Sequence, residues 1–167
     1  MKARQISLTL LLFFYLLVFH LACVTTPVLT TSTDEELILK LFKTEDELKM
    51  KEDITPLYSI YAPSVVIYHG NRTPDTSDDF LLCDGIGEVI SFYQNFFNMA
   101  ENIQHKSIIT NIIIDGDEAW CKKITSGTFV RSATKEVGVH PEDIQPWKLK
   151  KINGVWQIIE ATWFTNN

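Results

Sequence analysis

The sequence predicts an α+β domain in which a curved, mainly antiparallel sheet wraps around N-terminal helices. Three observations carry this expectation. Helical apolar spacing comes first in the chain, long strand-like runs follow, and those runs meet at Asp-Gly and Asn-Gly, the residues that tight hairpin turns prefer. The chain has 167 residues, 46% of them apolar, which suffices for one real core and falls short of two ordinary domains. A formal net charge of −6 with no basic cluster argues against a nucleic-acid partner.

The first residues stand apart. "MKARQ" is basic, and Ile6 to Ala22 carries no charged side chain, so residues 1–22 read as a secretion signal. Cys23 after the small Ala22 resembles a bacterial lipobox, although His20 stands where leucine is usual. Three fates fit: lipidation of Cys23, plain cleavage nearby, or an uncleaved membrane anchor. Each gives an exported protein, periplasmic or at the cell surface. Residues 23–32, including "VTTPVLTTS", form a polar tether, and 33–167 form the domain.

Within the domain, Ser32 and Glu35 have capping-box spacing, and Leu37, Ile38, Leu41, Phe42 and Leu48 continue as a helical stripe. A second helix is expected from Asp53 to Tyr61, with Pro56 in its first turn. "SVVIYHGN" (64–71) is a strand on which Val65, Ile67 and His69 share a face. "NRTPDTSDDF" reads as a polar loop, and "DGIGEVISFYQNFFNMAEN" as a deeply packed third helix. "HKSIITNIII" then pairs with "EAWCKKITSGTFV", and "IQPWKLKKI" with "VWQIIEATWF". Between these hairpins, "RSATKEVGVHPED" is expected as a long rim loop.

Strand alternation assigns the faces. Gln145, Trp147 and Leu149 share one face of their strand, opposite Lys148 and Lys150. On the last strand Trp156, Ile158, Glu160 and Thr162 share a face, which aims Glu160 inward. One of the neighbours Lys122 and Lys123 must face the concave side. Cys83 and Cys121 lack metal-ligand spacing and read as small buried hydrophobes, with a disulfide as the alternative.

Taken together, "KEDITPLYSIYAPSVVIYHG", "GIGEVISFYQNFF", "IDGDEAWCKKITSGTF" and "WKLKKINGVWQIIEATW" resemble the nuclear transport factor 2-like superfamily, including its SnoaL-like and ketosteroid-isomerase-like branches. The resemblance implies a cystatin-like α+β cone, with homodimerisation through the sheet. It is weak for function, because that cone hosts isomerases, dehydratases and non-catalytic modules alike. In ketosteroid-isomerase-like members the proton-moving carboxylate falls at His69, and the neutral-acid donor to the oxyanion falls at Gln145. In scytalone-dehydratase-like members a histidine follows glutamine after the third helix, as Gln104-His105 does here. That branch's second histidine falls at Lys123, and its Tyr-Asp pair at Lys49 and Met50, so its catalytic set is incomplete.

The candidate catalytic residues are therefore His69 as general base, Gln145 as oxyanion donor and Glu160 as a partner for His69. Each has an ordinary alternative: a core histidine, a pocket amide, a rim carboxylate. Tyr58, Tyr61, Phe92, Phe96, Trp120, Lys123 and Trp147 are candidates to line the pocket, and bulky core filling is their ordinary role. No histidine pair has ligand spacing, so neither metal nor other cofactor is expected. Two functions follow. The first is a non-catalytic module that binds a small hydrophobic molecule or supports assembly, its hollow filled by Trp147 and the phenylalanines. The second is a cofactor-free lyase or isomerase acting on such a molecule, with an open hollow.

Overall fold

In the computed structural model the described residues are 33–70 and 79–163. The expected signal, the tether, Cys23 and most of the polar loop after the first strand lie outside them. No described helix is long and apolar enough to cross a membrane. Helix α1 (Asp34–Lys51) starts one residue later than the capping-box spacing suggested: Thr33 and Glu36 form the box, Thr33 accepting from the Glu36 amide and Glu36 from the Thr33 amide. Three acids occupy its first turn, where the helix dipole favours negative charge. Helix α2 is a single turn (Leu57–Ile60), shorter than expected because Pro56 stands before it as the N-cap and Tyr61 already has extended backbone.

Six strands form one sheet in the order β2-β1-β6-β5-β4-β3. They are β1 (Tyr61–His69), β2 (Phe80–Asp84), β3 (Ala100–Asp115), β4 (Glu118–Arg131), β5 (Val137–Ile152) and β6 (Val155–Trp163). All neighbours are antiparallel except β1 and β6. Helix α3 (Ile86–Met99) follows β2, packs on β1, β2 and β3, and leads straight into β3. The core lies between the helices and the concave face, around Ile38, Phe42, Leu57, Tyr61, Val65, Ile67, Val89, Trp147, Leu149 and Ile158. A curved, mainly antiparallel sheet wrapped around helices is the architecture the sequence predicted.

Three details depart from expectation. Strand β2 is not anticipated: the expected polar loop reaches only its first residue, Phe80, and five residues carry too little alternation to register. The rim loop at 131–143 is mostly strand, since β5 begins at Val137 and absorbs Pro141 where its pairing with β4 slips. Both hairpins form. At Asn153-Gly154 both central φ angles are positive (52° and 81°), as a type I′ turn requires. At Gly116-Asp117 only the glycine is left-handed (φ 59°), the II′ pattern.

The third departure is a slip in β6. Lys148 pairs with Glu160 but Leu149 pairs with Ile158, so one extra residue sits in β6 between them. A bulge of one residue reverses the faces beyond it. Trp156 and Ile158 point inward before the slip, Ala161 and Trp163 do so after it, and Glu160 is turned out to solvent. Among the described residues Cys83 and Cys121 are free thiols in the core, and burial pushes Cys83 up to about 11 and Cys121 to about 12.

Candidate functional site

A cavity of about 910 Å³ opens between α3 and the concave faces of β3, β4 and β5. Its walls are mainly apolar: Leu82, Phe92, Phe96, Ile103, Phe129 and Trp163. The polar side chains reaching it include Lys49, Tyr93, His105, Thr125, His140 and Gln145. The last four come from one panel of the sheet. Inward positions of β3, β4 and β5 line up as His105–Gly127–His140 in one cross-strand row and Ser107–Thr125–Asp143 in the next, with Lys123–Gln145 beyond. Gly127, between the two histidines, admits no side chain: a Cβ there would lie 2.3 Å from the Gln104 carbonyl oxygen.

Beneath the cavity floor lies a buried charge cluster that begins with Glu45. Helical spacing puts Glu45 on the same face of α1 as Ile38, Phe42 and Leu48, and it is fully buried with them. A carboxylate there is tolerable only if every lone pair is used. One oxygen accepts from Tyr93 (2.9 Å) and Tyr61 (3.2 Å) and meets the Lys49 ammonium at 2.6 Å. The other accepts from Lys123, which strand alternation aims straight at the helix. Lys123 is itself fully buried, reaches Asp46 at 2.6 Å, and lies 5.3 Å from the ring centroids of both Phe42 and Trp147. Ser107 donates to the second Asp46 oxygen. His105 Nε2 lies 3.1 Å from Asp46 Oδ1.

The charges balance as two carboxylates and two ammoniums, and the balance fixes the protonation states. Burial alone would raise Glu45, but the cations of Lys123 and Lys49 outweigh it and hold the carboxyl well below its usual range. Asp46 is also held low: burial opposes this, while His105 and Lys123 override it. Lys123 is raised despite its desolvation, because Glu45 and Asp46 face it. His105 is lowered, by burial first and then by Lys49, with Asp46 pulling the other way. Its imidazole is therefore neutral at neutral pH. The Nε2 contact with Asp46 is a close charge approach that favours the imidazolium once a proton is taken up, without the alignment of a hydrogen bond. Tyr61 and Tyr93 are raised well above the usual phenol value by burial and by Glu45, so they stay neutral donors.

Glu45, Asp46 and His105 bring three ligand atoms within 4.8 Å of one another, a spacing that could hold a metal. Lys123 already places its cation between the two carboxylates. A second polar group faces the cavity from β4 and β5, where Thr125 Oγ1 lies 3.1 Å from His140 Nε2 and Asp143 lies 3.8 Å from the same nitrogen.

Against this geometry the sequence candidates divide. Gln145, Phe92 and Phe96 line the cavity. Lys123, Tyr61 and Trp147 are buried beside or beneath it. His69 is inward on β1 and 8% exposed, but it lies outside the cavity lining and stacks on Phe80, ring centroids 4.5 Å apart. Glu160 was expected inward and is exposed, because the β6 slip turns it round. Trp120 is 38% exposed on the outer face, where Lys148 sits over its ring; the inward parity of β4 falls on Cys121, Lys123 and Thr125. Tyr58, on the one-turn helix, is 66% exposed. Sequence reading missed Glu45, Asp46 and Thr125. The available signal was an acid at a core position of the α1 stripe, followed by a lysine four residues on.

No protein-family profile matches the chain, and no curated protein does. Solved structures do. A conserved protein from Planctomyces limnophilus superposes with a TM-score of 0.66 at 17% identity, over 78% of this chain and 94% of that one. A nuclear transport factor 2-like superfamily protein from Salmonella enterica gives 0.64 at 15%, over 78% and 89%. A Novosphingobium aromaticivorans protein provisionally named a scytalone dehydratase gives 0.62 at 11%, over 77% and 81%. At these identities the likeness concerns the fold: this chain has the nuclear transport factor 2-like architecture.

Proposed function

We propose that this protein is a cofactor-free proton-transfer enzyme of the lyase or isomerase class, acting on a small hydrophobic carbonyl compound, with His105 as general base. The observation that carries the reading is a neutral imidazole in the wall of a mainly apolar cavity with a carboxylate 3.1 Å behind it. Abstraction of a proton α to a carbonyl needs a base that is neutral before the step and stabilised once charged. Asp46 supplies that stabilisation. Negative charge then develops on the carbonyl oxygen, and the Lys49 ammonium and the Gln145 amide share the cavity as donors for it. The base of this proposal is His105 rather than His69, since His69 lies outside the cavity lining.

A cavity of about 910 Å³ falls in the range of small-molecule sites, and its open volume favours this reading over an assembly module with a filled hollow. The provisional dehydratase name of the Novosphingobium neighbour is compatible with it. Export and a homodimer belong to the same proposal: the first rests on the sequence of residues 1–22, the second on apolar side chains exposed on the outer sheet face.

The test uses 2-tetralone as a hydrophobic ketone in deuterated buffer, with α-proton exchange followed by NMR. The native protein should accelerate exchange, and His105→Gln should lose about 10²–10⁴-fold of that acceleration. Acceleration that survives the substitution unchanged would contradict the assignment. Tight binding of the ketone with no acceleration would favour the non-catalytic binding module.

A further inference from the structure

Lys49 is held differently from the rest of the charge cluster. Glu45 and Lys123 are sealed, but the Lys49 side chain keeps 15% of its surface exposed and lines the cavity. Two ammoniums share one carboxylate, because Glu45 meets Lys49 through one oxygen and Lys123 through the other. Burial lowers the Lys49 pKa; Glu45 opposes the shift and Lys123 adds to it. A desolvated lysine beside a second cation is the arrangement that raises the share of free, nucleophilic amine.

We propose that Lys49 is a covalent carbonyl-binding site, its Nζ forming an imine with an aldehyde or ketone that enters the cavity. The inference uses the cavity of the proposed function but does not depend on His105 abstracting a substrate proton. The ammonium first releases a proton to solvent, to which its partly exposed side chain opens. The freed lone pair attacks the carbonyl carbon, a C–N bond forms, and the carbonyl π pair moves to oxygen, which takes up the proton. The attached nitrogen, now carrying two hydrogens and a positive charge, passes one proton to the carbinolamine hydroxyl, which leaves as water while the lone pair so freed closes the C=N bond. The sum is R₂C=O plus Lys-NH₃⁺ giving Lys-NH⁺=CR₂ plus H₂O, with no oxidant or reductant and no change of net charge.

That conservation of charge suits the site. Glu45 is the counter-ion of the ammonium before the reaction and of the iminium after it, so no buried charge is created or lost. Tyr61 and Tyr93 fix the carboxylate in place by donating to the oxygen that faces Lys49. Phe92, Phe96 and Trp163 give the cavity an apolar lining, which restricts the ligand to hydrophobic carbonyl compounds.

The experiment incubates the full chain with trans-cinnamaldehyde and sodium cyanoborohydride, which reduces iminium ions, and maps the stable adduct by peptide mass spectrometry. The adduct should concentrate on Lys49, enriched at least about tenfold over exposed lysines such as Lys43 and Lys51, as a desolvated activated amine requires. Lys49→Arg should abolish that adduct, and Glu45→Gln should reduce its yield. The wild-type map decides the matter even if a variant folds poorly: label spread over exposed lysines with Lys49 unmodified overturns the proposal. His105→Gln separates the two readings. Lys49 labelling that persists while ketone exchange is lost supports both, whereas exchange without Lys49 labelling overturns this inference alone.

Discussion

Lys123 and Glu45 carry the largest single-residue consequence of this structure. Each is fully buried, and removing one leaves the buried cluster with one charge in excess, even though Lys49 still faces Glu45 and Asp46 still faces Lys123. Lys123→Met should therefore destabilise the domain by about 3–5 kcal/mol in denaturant unfolding. Adding Glu45→Gln to it should recover part of that loss, a coupling that a double-mutant cycle reads directly. Additive losses would mean the two do not act as a pair. Lys123 was half legible in the sequence: alternation requires Lys122 or Lys123 to face inward but cannot choose between them. Glu45 was hidden because an acid inside a helix ordinarily faces water, and only burial shows that its face is the core face. His105 was visible through its Gln104-His105 pairing. Its carboxylate partner was not, because Asp46 lies 59 positions away in sequence.

At the level of elements, most of the fold could be read from pattern. Long helices, both hairpins and the concave face follow from apolar period and turn chemistry, which are local. Bulges are not local in that sense. The slip in β6 depends on how its neighbours hold it, so period-two counting through Glu160 assigns the wrong face. The consequence is measurable: Glu160→Ala should change stability by no more than about 0.5 kcal/mol, as exposed positions do, and should leave ketone binding unchanged. A loss comparable to that of a core polar group would place Glu160 inside. Gly127 is the opposite case, a strand glycine where β3 and β4 approach closely beside His105. Gly127→Ala would drive a Cβ to 2.3 Å from the Gln104 carbonyl oxygen, so the strands must separate. The expected cost is about 1–3 kcal/mol, with ketone binding weakened because His105 moves with β3.

The whole molecule combines an open apolar cavity with charges buried beneath it, and its stability should record those charges. Glu45, Asp46 and His105 are all held below their ordinary values of 4.5, 3.8 and 6.5. Below each ordinary value the unfolded chain binds protons that the folded state resists, so stability falls as pH falls. A shallow decline should begin below pH 6.5 with His105 and steepen below 4.5 as the carboxylates follow. On the alkaline side Lys49 and Lys123 shift in opposite senses, so the acid limb is the informative one. Denaturant midpoints measured across pH 3–8 would show the decline, and a flat profile would contradict the charge-balanced cluster. On the outer face Ile108, Ile124 and Ile144 form a cross-strand row, with Ile113 and Trp120 in contact further along the sheet. Ile144 is 56% exposed, and Ile144→Lys should turn the proposed dimer into a monomer by sedimentation, at little cost in folding.

The central claim is that a neutral His105 faces a ligand-binding cavity, and histidine-resolved NMR titration with and without 2-tetralone tests it most directly. The account predicts a His105 midpoint below 6.5 and resonances that shift when the ketone binds. A midpoint at or above 6.5, or a ring indifferent to saturating ketone, would contradict it.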